Sequence, residues 1–197
     1  MDNGASSYRR FRDNGDQSGI VEIIRDYKDG LILYLTSIVG NIQTAEELAE
    51  DTFVLIGTKK PKDKGKGSFK TWLYTIGRNV AIDYLRKYSK HIEVSIDDNT
   101  DLISDEEAVE TAYIKKEQKI TVHKAMRKLS TEYQQVLWLI YFEELSNKEA
   151  AKIMKKSVRS VESLLYRARK SLRSQLEKEC FDYEKLWRYG KRCTPKN

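Results

Sequence analysis

The sequence predicts an all-α protein: two small helical domains joined by an acidic linker, the second containing a helix-turn-helix. Three observations carry this. Apolar residues recur at three- and four-residue steps, with no strand-like alternation. The chain of 197 residues is 34% charged and holds two prolines, a composition for long solvated helices. Charge also falls in blocks. Residues 1–90 hold 15 basic and 12 acidic side chains, residues 91–121 hold 3 and 9, and residues 122–197 hold 18 and 9.

Residues 1–19 are polar and read as a flexible leader. They lack the apolar stretch of a signal peptide. From Ile20, the positions Ile23, Ile24, Tyr27, Leu31, Tyr34, Leu35 and Ile38 form one helix face, with Gly30 a candidate break. Gly40 and Asn41 end that helix. Thr44 reads as the N-cap of the next, with Glu46 and Glu47 in its first turn, where the positive helix end favours them. Its inner face is Ala45, Leu48, Ala49, Thr52, Phe53 and Ile56.

Residues 59–67 are lysine-rich and broken by Pro61, Gly65 and Gly67, so they form a connection. Ser68 caps a third helix carrying Phe69, Trp72, Leu73 and Ile76, then Val80, Ala81, Tyr84 and Leu85. The first domain therefore spans residues 20–90. Residues 91–121 are the acidic linker, extended or disordered by composition. The second domain spans residues 122–175, with Ala125, Leu129, Val136, Leu137, Ile140 and Tyr141 in its core. Residues 176–197 form a tail rich in aromatics, Phe181, Tyr183, Trp187 and Tyr189 among them.

Within the second domain, Ser146 and Glu149 make a capping box for a helix over residues 147–154. A turn follows at Lys155, Lys156 and Ser157. The next helix turns Val161, Leu164, Leu165, Ala168 and Leu172 inward. Its outer face shows Arg159, Ser160, Glu162, Ser163, Tyr166, Arg167 and Lys170. A small residue, Ala151, and an apolar anchor ten positions later, Val161, fit the spacing of a helix-turn-helix whose second helix reaches base edges. Lys155 stands where that turn favours glycine.

No run of about 18 apolar residues occurs, which excludes membrane insertion by a helix and points to the cytoplasm. Cys180 and Cys193 do not have metal or redox spacing, and His91 and His123 are isolated. No paired carboxylates, nucleophile triad or metal cluster is visible. The expectation is no enzyme, no cofactor and no metal.

Three segments resemble the sigma-70 family of bacterial RNA polymerase sigma factors, in particular its extracytoplasmic-function group. They are residues 45–53 (AEELAEDTF), residues 69–86 (FKTWLYTIGRNVAIDYLR) and residues 129–172, in the family's order and spacing. The resemblance implies that the first domain binds the clamp of the largest subunit of core RNA polymerase and opens the minus-ten promoter element. The second domain would bind the minus-thirty-five element. It leaves room for an anti-sigma factor as a further partner.

Carried over by position, Glu47, Glu50 and Asp51 would face polymerase. Lys70, Tyr74, Arg78, Asn79 and Arg86 would meet the minus-ten strand. Tyr74 and Asn79 are the candidates for a flipped base, since aromatic planes stack on unpaired bases and an amide both donates and accepts. Trp72 reads as core. Lys70, Arg78 and Arg86 would hold phosphates. Arg159, Ser160, Glu162, Ser163, Tyr166, Arg167 and Lys170 would meet the minus-thirty-five element. Glu47 and Glu50 replace the family's aspartate and glutamine, and Glu162 and Leu164 stand at basic positions of the family's recognition helix. The alternative from the residues themselves is a stand-alone helix-turn-helix regulator, which would leave residues 69–86 without a task.

Overall fold

A computed structural model describes residues 3–63, 67–92 and 117–178. All regular structure among them is helical. The linker expectation for residues 93–116, both cysteines and the aromatic tail lie outside the described residues.

The expected flexible leader is corrected. Residues Asn3–Asn14 form helix α1, which buries Gly4, Ser7, Tyr8 and Phe11 along one face. Tyr8 is 1% exposed. Its ring lies 4.9 Å from Trp72 and 5.6 Å from Phe69. Polar composition concealed this face, because the two aromatics sit among six charged or amide residues yet fall at helical neighbour spacing.

Helix α2, Gln17–Val39, starts at Asp16, whose carboxylate accepts the Ser18 N–H at 2.9 Å. It ends at Gly40 with φ 79°, a left-handed cap that costs glycine little. Gly30 does not break it. Residues 31–38 are buried on every side, since α2 is covered both by its own domain and by the second.

Helix α3, Ile42–Lys59, is capped by Asn41, whose side-chain oxygen accepts the Thr44 N–H at 2.8 Å. This corrects the N-cap from Thr44 to Asn41 and moves Glu46 and Glu47 out of the first turn. The inner face read from the pattern, Ala45 through Ile56, is buried throughout. The connection after α3 is tied back to α1. Tyr8 Oη donates to the Pro61 carbonyl at 2.8 Å, and the Lys60 ammonium lies 4.7 Å from the Phe11 ring centre.

Helix α4, Phe69–Ile92, begins after Ser68, whose hydroxyl accepts the Thr71 N–H at 3.3 Å as expected of a cap. Its Phe69, Leu73, Tyr74 and Ala81 close the first core.

The second half holds α5, Glu117–Arg127, and α6, Thr131–Leu137. A π-helical turn, Trp138–Phe142, follows. Then come α7, Asn147–Met154, and α8, Val158–Lys178. In the π turn, the Glu143 N–H bonds the Trp138 carbonyl at 3.1 Å, and Trp138 stacks on Phe142 at 4.3 Å. The wider turn rotates Tyr141 to the surface, beside the Arg169 guanidinium at 5.5 Å, so Tyr141 is not the core residue expected. Helix α8 runs through Leu176, which is buried, to Lys178, past the tail boundary expected at residue 176.

Candidate nucleic-acid interface

The helix-turn-helix is α7, the turn and α8. Ser146 and Glu149 form the complete capping box. Lys155 supplies the left-handed residue the turn needs, with φ 54° and its N–H on the Ala151 and Lys152 carbonyls. A lysine there carries a steric cost that glycine lacks. Val161, Leu164, Leu165 and Ala168 anchor α8 inward. Every outer-face residue named from the sequence is exposed: Arg159, Ser160, Glu162, Ser163, Tyr166, Arg167 and Lys170. Tyr166 is 70% exposed, an aromatic with no core role.

On α3, Glu47, Glu50 and Asp51 share one exposed face. Lys28 approaches Glu50 at 3.9 Å. Val54, 60% exposed, continues the same face and adds an apolar side chain that charge pattern alone did not indicate.

The α4 residues are less uniform. Arg86 is exposed and lies 3.3 Å from Asp83. Arg78 and Asn79 are half-buried. Tyr74 is fully buried, its ring 5.4 Å from Tyr34, which overturns its reading as a base-stacking residue. Burial raises its phenol pKa well above 10, and the Glu143 carboxylate raises it further. Trp72 is only half-buried and lines a cleft of about 300 Å³ with Lys62, Asp63, Ser68, Thr71 and Lys152. Trp72 packs against the core as expected, 4.9 Å from Tyr8 and 5.3 Å from Phe69, while its outer edge stays open to the cleft.

The two domains are packed together, and the sequence did not show it. Glu149 Oε2 serves the α7 cap, accepting from the Ser146 N–H at 3.0 Å and its hydroxyl at 2.8 Å. Its Oε1 crosses to α4, accepting from Ser68 Oγ at 2.7 Å and Thr71 Oγ1 at 3.1 Å. Burial opposes its charge, but the Ser68, Ser146 and Thr71 donors outweigh that and bring its pKa down to about 2. Glu143, 9% exposed, pairs with Lys70 Nζ at 2.8 Å, and Lys70 also reaches the Glu143 carbonyl at 3.2 Å.

The Glu143 carboxylate sits against Gly30. A Cβ there would meet Glu143 Oε1 at 2.5 Å and Tyr74 Oη at 2.6 Å. An interior helix glycine that does not break its helix marks a close approach, and that was the available signal. Beside this contact, Leu33 and Ser37 of α2 face Met126 and Trp138 across a cavity of about 160 Å³. Among the described residues, no group of three or more histidine, cysteine or carboxylate side chains could hold a metal. Among the described residues, no helix is long and apolar enough to cross a membrane.

A helix-turn-helix with an exposed polar and basic reading face, coupled to a helical domain with a cationic helix, defines a DNA-binding transcription protein. Residues 23–91 match the family Sigma-70 region 2, and residues 119–172 match Sigma-70, region 4. The chain belongs to the sigma-70 family of RNA polymerase sigma factors, in the extracytoplasmic-function group.

It is 31% identical over 169 residues to RNA polymerase sigma factor YlaC of Bacillus subtilis, covering 82% of this chain and 94% of that protein. It is 35% identical over 158 residues to ECF RNA polymerase sigma factor SigM of the same organism, covering 79% and 93%. The fold is that of the sigma factor RpoE solved with the anti-sigma factor NepR from Bartonella quintana. That match has a TM-score of 0.64 at 23% identity, over 79% of this chain and 95% of that one. CnrH, solved with the cytosolic domain of CnrY, matches with a TM-score of 0.60 at 20% identity, over 89% and 96%. The protein is therefore a sigma factor, directing promoter recognition and transcription initiation. Sigma factors bind core RNA polymerase and promoter DNA.

Proposed function

We propose that the work of this sigma factor is divided among three faces. Glu47, Glu50, Asp51 and Val54 of α3 dock on the clamp of the largest polymerase subunit. Lys70, Arg78, Asn79 and Arg86 of α4 engage the minus-ten strand, with Trp72 in place of Tyr74 as the aromatic wall. Arg159, Ser160, Glu162, Ser163, Tyr166, Arg167 and Lys170 read the minus-thirty-five element. The observation that carries this is the exposure of the whole outer face of α8 beside a buried, anchored inner face.

Strand opening is driven by binding. Unstacking a base costs a few kcal/mol, and stacking with hydrogen bonds returns about that much. The protein works without chemistry of its own, alongside polymerase in the cytoplasm. An anti-sigma factor is a further partner, in line with the NepR complex of the Bartonella protein.

The test is transcription from a randomised promoter pool with core polymerase. Glu162→Arg should shift the upstream preference by about 1–3 kcal/mol at one or two base pairs, since a carboxylate accepts from cytosine and arginine favours guanine. Asn79→Ala should alter only the downstream element. An unchanged upstream preference for Glu162→Arg, with a changed one for Asn79→Ala, would show that the modules are misassigned.

A further inference from the structure

Helix α1 supports two walls of the cleft beside α4. One wall is α4 itself, through Ser68, Thr71, Trp72 and Thr75, and another is Lys62 and Asp63 of the connection after α3. Tyr8 touches the support of both. Its ring packs 4.9 Å from Trp72, and its hydroxyl donates to the Pro61 carbonyl at 2.8 Å, one residue before Lys62. Burial pushes the phenol up to about 12, so it remains a donor at neutral pH. One turn further along α1, the Phe11 ring receives the Lys60 ammonium at 4.7 Å. Two aromatic residues of α1 thus hold two successive residues of the connection. The hold matters there, since Lys60 has a left-handed backbone, φ 44°, which a lysine adopts at a steric cost.

Trp72 offers a plane for an unpaired base. Stacking on a ring tolerates every base, so preference must come from groups that meet the base edge. Lys62 brings donors to the cleft and Asp63 an acceptor. Where they stand decides what they can read, because a displacement of about 1 Å takes a hydrogen bond out of range.

We propose that Tyr8 is a positioning residue for promoter reading: through Pro61 it fixes Lys62 and Asp63 relative to Trp72, and so sets the base preference at one position of the minus-ten strand. The inference rests on the reading of Trp72 as the aromatic wall for that strand. Tyr8, 1% exposed, meets no DNA itself. Its ring supports the stacking wall, and its hydroxyl supports the wall that reads. Tyr8→Phe removes the second support and keeps the first.

The experiment is transcription by the full chain with core polymerase, from a promoter pool randomised across the minus-ten element. Tyr8→Phe should flatten the preference at one minus-ten position about fivefold, and leave the upstream preference and co-purification with polymerase unchanged. Lys62→Ala with Asp63→Ala should flatten the same position. Adding Tyr8→Phe to that pair should cost nothing more, because a residue that acts through others is silent once they are gone. Phe11→Leu, which releases Lys60 and keeps Tyr8, should show a weaker loss at the same position. A Tyr8→Phe protein that transcribes every promoter less, with its preference intact, would reduce Tyr8 to a core residue and overturn the proposal. So would a loss at a different position from the alanine pair, or losses that add. Trp72→Leu separates this inference from the reading beneath it. If that variant keeps the minus-ten preference, the reading of the cleft fails and the inference falls with it. If it alters the preference and Tyr8→Phe does not, the inference alone fails.

Discussion

His123 lies under the second core, its ring edge-on to Trp138 at 5.7 Å and only 8% exposed. Burial, with a smaller push from Arg127, lowers its pKa from 6.5 to about 4. The unfolded chain therefore binds a proton in the window between those values that the folded chain refuses. Stability is full above pH 6.5 and declines as pH falls toward 4, by at most about 3 kcal/mol. Urea denaturation at pH 7 and pH 5 should show this fall, and His123→Phe should flatten it. Glu149 acts in a lower window, with stability present above its ordinary pKa and lost as pH falls toward about 2. At this scale the sequence was informative where a role depends on local pattern. All seven outer positions of α8 could be placed from helical spacing alone. It misled at Tyr74, because two aromatics two positions apart on one helix fall on different faces, and only the neighbours decide how far each face is covered. Tyr8 of α1 backs Trp72, and Tyr34 and Glu143 cover Tyr74.

Helices were legible by periodicity, and their ends less so. Helix α1 was missed because its burial rests on partners far along the chain, Phe69, Trp72 and Pro61. Its weight can be measured. Tyr8→Ala should cost about 3–5 kcal/mol in urea denaturation, as for other buried aromatics cut to alanine. A flexible leader would tolerate the change within about 0.5 kcal/mol. The turn of the helix-turn-helix offers the opposite experiment. Lys155 holds φ 54° at a position where glycine is unstrained. Lys155→Gly should stabilise the protein by about 0.5–1 kcal/mol, seen as a rise of a few degrees in melting temperature. An unaltered or lower melting point would mean that the lysine side chain contributes more than the backbone strain removes.

At the scale of the molecule, each domain could be anticipated and their contact could not. Helical periodicity reports that a face is covered and not by what. The run at residues 31–38, buried all round, shows how much of α2 a second partner claims. The polymerase-facing surface is a separate matter, since α3 turns Glu47, Glu50, Asp51 and Val54 outward in the closed chain. Reversing two charges, Glu47→Lys with Asp51→Lys, should abolish co-purification with core polymerase while circular dichroism stays unchanged. Full co-purification of that variant would reduce the acidic face to a solvated one.

The π turn at Trp138–Phe142 lets the domain contact tolerate a change in chain length. Such a turn is an α-helix with one residue too many. Deleting Tyr141, whose side chain is at the surface, would return the segment to α-helical register. The Glu143 N–H would then keep the Trp138 carbonyl, now four residues back, and Glu143 would stay against Gly30. Neither domain would lose a core residue or a DNA-facing one. A single codon can therefore be gained or lost at this point while the two halves of the chain keep the same meeting surfaces.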